Sequence, residues 1–246
     1  MFLIVCPMLF LAGFVDSIAG GGGLISLPAY LFAGLPVHMA IGTNKLSSAC
    51  GTSLTTVRFI RGGLIRWKLA LPGVAAAMVG SSLGSRLSLV TDEVVIRGVL
   101  FVVLPVAAFI VLNPRLFPER EAQELIVDRR ALTVCVLAAL IIGFYDGLYG
   151  PGTGTFLIIA FTVFARLSVS AANAHAKVIN LTTNITALLV FLRGGTVLIP
   201  LGLAAAACNM LGNYVGSGLA MRGGAKITRP VILIVLALLL VKLLTE

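Results

Sequence analysis

Four ionisable residues stand where the chain is otherwise apolar: Asp16, Lys45, Asp146 and Lys177. A charge at the centre of a membrane helix costs roughly 2.5–3.5 kcal/mol on insertion scales, so four unpaired charges would cost about 10–14 kcal/mol. That is comparable to the whole stability of a folded domain. The four must therefore pair, face water or meet a ligand. One reading is structural ion pairing inside each region, Asp16 with Lys45 and Asp146 with Lys177. The other is a transport site, in which Lys45 and Lys177 attract an anion while Asp16 and Asp146 hold the lysines or exchange protons.

The neighbours of these charges suit the second reading. "GFVDSIAGGGG", residues 13–23, places Gly20, Gly21, Gly22 and Gly23 just after Asp16. Glycine permits close backbone approach and left-handed turns. A helix starting just beyond Gly23 would point free N–H groups and its positive dipole end at whatever lies there. Tight helix packing is the bland alternative for the same glycines. If the helix carrying Lys45 enters the bilayer near Val37, the amine lies about 12 Å in, close to the midplane, beside Thr43 and Asn44. In "GPGTG", residues 150–154, Gly152 and Thr153 form a second tip, interrupted by Pro151, which lacks an N–H; Thr153 and Thr155 can cap a helix start. "NAHAK" places His175 two residues before Lys177, and Asn180 and Asn184 follow on the lysine's helical face. Ser48 and Thr52 hold the matching places in the first half. His175 reads as a hydrogen-bonded helix contact or as an anion or proton ligand. One histidine makes no metal site, and no cofactor is expected.

These motifs recur because the chain is duplicated. "GFVDSIAG" (13–20) returns as "GFYDGLYG" (143–150), "FIRGG" (59–63) as "FLRGG" (191–195), and "GSSLGS" (80–85) as "GNYVGS" (212–217). The expected organisation is a first repeat over 1–112, a linker over 113–130 and a second repeat over 131–246. Apolar runs divide the first repeat at about 1–19, 24–33, 38–60, 64–88 and 93–112, and the second at about 131–149, 155–166, 171–193, 196–221 and 228–245. The second piece of each repeat is too short for a hydrocarbon core of about 30 Å. It reads as the return arm of a hairpin whose tip is glycine-rich. Three crossings then follow, an odd number, so the repeats are expected to be inverted. Inversion gathers Arg58, Arg61, Arg66, Lys68, Arg115, Arg120, Arg129, Arg130, Arg166, Arg222, Lys226 and Arg229 on one side and leaves Arg86, Arg97, Arg193 and Lys242 on the other. Parallel repeats would give a less lopsided split, and positive residues favour the cytoplasm. The linker is therefore expected inside the cell and both termini outside. Gly80/Gly84 and Gly212/Gly216 read as close helix contacts, and the two "RGG" turns as helix ends.

Composition agrees. The chain is 59% hydrophobic and 11% charged, with mean hydropathy +1.09, against about 25% charged residues in soluble domains. The fold class expected is all-α: a polytopic membrane protein of two inverted repeats of five helical segments, with broken or re-entrant helices meeting near the midplane. A net charge of +9 is accounted for by positive loops and argues no nucleic-acid partner. The four cysteines lack paired spacing and read as small buried hydrophobes. The first residues lack a positive stretch and a cleavage box, so they do not read as a signal peptide. A passive channel and an intramembrane enzyme remain as alternatives to a transporter, although no nucleophile elbow or histidine-rich metal set is present.

The chain resembles the sulfite exporter TauE/SafE family, the TSUP anion transporters, most closely the YfcA-like branch. The resemblance rests on "GFVDSIAGGGGLISLPA" (13–29), "GTNKL" (42–46), "GFYDGLYGPGTGTF" (143–156) and "AHAKVINLTTN" (174–184), and spans essentially the full chain. It implies secondary transport of small sulfur oxyanions or organosulfonates across a bacterial inner membrane. The partners expected are a small anionic substrate and the lipid bilayer, with homodimerisation and proton coupling left open.

Overall fold

The computed structural model describes residues 1–92, 95, 128–223, 226–228, 230–234 and 237. Most of the fifth segment of each repeat (93–112 and 228–245) and nearly all of the 113–130 linker lie outside the described residues. Eight helices are described in full: α1 (Phe2–Ala19), α2 (Gly23–Phe32), α3 (Val37–Arg61), α4 (Trp67–Ser88), α5 (Arg129–Leu148), α6 (Thr153–Val163), α7 (Val169–Arg193) and α8 (Ile199–Gly223). No strand occurs among the described residues. Every end falls within three residues of the position read from the apolar runs. The helices stop where backbone chemistry stops them: α3 closes on Gly62 and Gly63, and α7 on Gly194 and Gly195.

Three of these helices, α1, α5 and α7, are long and apolar enough to cross a membrane. Large apolar side chains stand exposed along the helices, among them Leu71, Val79 and Leu83 on α4, Ile141 on α5, and Leu203 and Leu211 on α8. Soluble proteins rarely present so much apolar surface; a bilayer covers it without penalty. Only Cys135 of the four free cysteines is fully buried, so Cys6, Cys50 and Cys208 are less enclosed than expected.

The packing crosses between the two halves. The most extensive interfaces join α4 to α5 and α1 to α8, followed by α3 with α8, α3 with α7 and α4 with α7. Each contact has a counterpart under the sequence repeat. Small residues make the approach possible. A Cβ built on Gly84 would lie 2.0 Å from the Phe144 carbonyl oxygen, and one on Gly212 would lie 2.0 Å from that of Phe10. With no hydrophobic drive between helices in lipid, such backbone proximity is the main source of association.

Candidate functional site

Two elbows of bare backbone meet at the centre. The first joins α1 to α2 through Gly20, whose φ of 77° lies in the left-handed region. The second joins α5 to α6 through Gly150 and Gly152, at φ 101° and 81°. The elbows touch: a Cβ on Gly20 would fall 2.2 Å from the carbonyl carbon of Gly154, and one on Gly154 would fall 2.5 Å from the Cα of Gly20. Among the described residues the N–H groups of Gly22, Gly23, Gly154 and Thr155 have no hydrogen-bond acceptor. They belong to helix starts, where such donors are expected.

The ends of α1 and α5 are treated differently. The last four carbonyls of a helix lack intrahelical partners. In α1 all four are met by side chains of the second half. Lys177 Nζ donates to the Asp16 carbonyl, Asn173 to those of Ser17 and Ile18, and the Thr155 hydroxyl to that of Ala19 at 2.7 Å. Lys177 Nζ also donates to Asp16 Oδ2 at 2.8 Å. This lysine caps a helix C-terminus, where the dipole favours a cation. Lys45 instead lies with Nζ 2.8 Å from Asp146 Oδ2, both side chains buried to 1% and 3% exposure. The contact lacks hydrogen-bond alignment, and Asp146 Oδ2 has no hydrogen bond among the described residues.

The pairing expected within each half is thereby corrected. Asp16 does not meet Lys45, nor Asp146 Lys177; each carboxylate pairs with the lysine of the other half. The same crossing that brings α1 to α8 and α4 to α5 carries the charges past their local partners. It also means that neither lysine stands free, so the centre is charge-balanced rather than simply positive.

A small cavity of about 20 Å³ lies at the junction. It is room for about one water, too little for a sulfur oxyanion. Of the residues singled out from sequence, Asp16, Gly20, Gly23, Asn44, Lys45, Asp146, Thr153, Asn180 and Asn184 line it. Ser48, Gly150 and Gly154 join them. Ser48 is the repeat counterpart of Asn180, and Gly150 that of Gly20, a relation that could have placed both in the candidate set. The polar lining is already internally bonded: Asn184 donates to the Asn180 amide oxygen at 3.1 Å, and Ser48 to that of Asn44 at 3.4 Å. Gly21, Gly22, Thr43, Gly152, His175 and Lys177 do not line the cavity.

Thr43 and His175, repeat counterparts, perform one job. The Leu198 N–H donates to Thr43 Oγ1 at 3.0 Å, just before α8 begins. The Arg66 N–H donates to His175 Nε2 at 3.2 Å, just before α4 begins. His175 Nδ1 then carries the proton given to the Ala171 carbonyl at 2.8 Å. Each side chain satisfies an orphan donor at a helix start of the opposite half. His175→Ala is expected to cost about 1 kcal/mol, as loss of a helix cap does, read as a fall in melting temperature in detergent. A loss of anion uptake out of proportion to that destabilisation would return His175 to the anion path.

Long apolar helices, two touching elbows and charges paired between the two halves define a helical membrane protein with a buried polar centre. Comparison with known proteins supplies the family: the model described as "Sulfite exporter TauE/SafE" matches residues 5–243, and the chain belongs to that family. Its relatives include a "Probable membrane transporter protein ORF9" of Sinorhizobium sp, 38% identical over 96% of this chain and 90% of its own. Another is a "Probable membrane transporter protein YfcA" of Escherichia coli (strain K12), 37% identical over 96% of this chain and 87% of its own. A "Probable membrane transporter protein" of Haemophilus influenzae is 34% identical over 92% and 87%. No solved structure matches the chain.

Proposed function

We propose that this protein is a secondary transporter that moves small anions, sulfur oxyanions or organosulfonates, across a bacterial inner membrane by alternating access. The observation that carries the reading is Lys45: a fully buried ammonium that lines a cavity between two elbows and is held by a carboxylate without a hydrogen bond. An incoming oxyanion offers Lys45 better-aligned acceptors than Asp146 does, and charge-assisted hydrogen bonds are the strong ones. Asn44, Asn180 and Asn184 are the side-chain donors at hand, with the N–H groups of Gly23 and Gly154. The family membership and the relatives' names support transport. The two halves are read as inverted repeats that cross the membrane several times and rock about the ion pairs. The small cavity is the occluded arrangement of that cycle. Broken helices meeting at a charged midplane are common ingredients of such carriers.

The test is tracer uptake into proteoliposomes with ³⁵S-labelled sulfite, thiosulfate and methanesulfonate. The expected result is protein-dependent entry of at least one, with accumulation above equilibrium when a gradient drives it. Entry that only equilibrates under every gradient would mark a channel, and no entry of any of the three would overturn the reading.

A further inference from the structure

We infer that Asp146 is the proton carrier of this site: it takes a proton as the anion displaces it from Lys45, so that one anion and one proton cross together. The inference rests on the transport reading above and adds the coupling ion and its residue.

Charge balance requires a companion for the anion. The centre holds two ammonium groups and two carboxylates, in two pairs. One entering anion would leave a net negative charge in a low-dielectric interior, and a buried uncompensated charge is neutralised rather than kept. The charged side chains around the cavity are Asp16 from α1, Lys45 from α3 and Asp146 from α5. Lys177 of α7 is bound to Asp16 behind the cavity, and His175 is occupied by the Arg66 N–H. On α4, Lys68 and Arg86 are exposed to the outside, and α6 carries no titratable side chain. Beside Asp146 on its own helix, Tyr145 gives its hydroxyl hydrogen to the Pro151 carbonyl at 2.6 Å, and Tyr149 caps the helix end.

Geometry selects between the two carboxylates. Asp16 keeps its partner, because Lys177 is anchored by both the carbonyl and the carboxylate of that residue and stays out of the cavity. Asp146 has Lys45 as its ion contact and no hydrogen bond on Oδ2. When Lys45 Nζ turns to the anion, Asp146 loses that contact. A proton from solution then bonds to its carboxylate oxygen, and the charge of the loaded site equals that of the empty one. On the far side the anion leaves Lys45, the proton leaves Asp146, and the original ion contact re-forms.

The experiment uses full-length protein in proteoliposomes with ³⁵S-methanesulfonate, whose single charge is constant near neutral pH. With the membrane potential clamped at zero and the lumen one pH unit more alkaline, the unaltered protein concentrates the anion about tenfold, the ratio of the proton activities. A potassium diffusion potential leaves that ratio unchanged. In Asp146→Asn the anion ratio reached under the same pH gradient falls to one. The inference is overturned by an unaltered protein that equilibrates the anion without responding to pH, by accumulation that follows the membrane potential, or by Asp146→Asn that still concentrates it. A ratio that collapses in Asp16→Asn and survives in Asp146→Asn also overturns it. Should Asp146→Asn fail to fold, the pH and potential responses of the unaltered protein still decide whether a proton accompanies the anion. If none of sulfite, thiosulfate and methanesulfonate enters at all, the transport reading itself falls.

Discussion

Lys45→Met lowers anion uptake by at least about 25-fold, because truncating one partner of a desolvated charge contact costs about 2–5 kcal/mol, and each 1.4 kcal/mol is a factor of ten. The same change leaves Asp146 buried and unpaired, which destabilises by about 3–5 kcal/mol. Lost activity alone would therefore not separate binding from folding. The double variant Lys45→Met/Asp146→Leu makes the separation. Replacing a buried pair by apolar side chains of similar size is close to neutral or stabilising, so the melting temperature in detergent returns near that of the unaltered protein. Uptake does not return, because no ammonium faces the cavity. Recovery of uptake in the double variant would remove Lys45 from the anion path. The contrast with Lys177 sharpens the prediction: that amine is spent on the end of α1 and does not reach the cavity.

The second large effect is conformational. Gly154→Ala is expected to cost more than about 4 kcal/mol, the range in which single substitutions have a specific steric cause. The added methyl would lie 2.5 Å from the Cα of Gly20 and 2.8 Å from its carbonyl oxygen. Both obstacles are backbone atoms of the opposite elbow, so no side-chain rotation relieves them. Gly20→Ala adds a second penalty, since φ of 77° strains any residue with a Cβ. By contrast, a Cβ on Gly34 meets nothing within 4 Å although its φ is also positive, so Gly34→Ala bears the backbone strain alone. Melting temperatures of the three variants check the order. If Gly154→Ala melts like the unaltered protein, the elbows are not in contact.

Much of this was legible in the sequence. Apolar run lengths located all eight described helices, since a helix in lipid must be nearly continuous and its breaks carry glycine or charge. The four buried charges and both glycine tips stood out because nothing cheap explains them in hydrocarbon. The partners of those charges were not legible. A repeat shows that Asp16 and Asp146 are equivalent, and Lys45 and Lys177 likewise. It is silent on whether each carboxylate reaches the lysine 29 or 31 positions ahead or the one in the other half. Thr43 and His175 were grouped with the anion site because their type and depth suit it. Their actual partners, the N–H groups of Leu198 and Arg66, are backbone donors that carry no side-chain signature.

The exchange of contacts between halves has a consequence for how the chain is made. α1 finds its main neighbour in α8, which begins about 180 residues later. At a synthesis rate of about 5–20 residues per second, that delay is on the order of 10–40 s. Until Thr155, Asn173 and Lys177 are made, late in that delay, the carboxylate of Asp16 is unanswered and the carbonyls of Ser17, Ile18 and Ala19 lack their side-chain donors. The newborn first half is thus no apprentice domain awaiting a twin; it is an unfinished fold, and its maturation is timed by the ribosome.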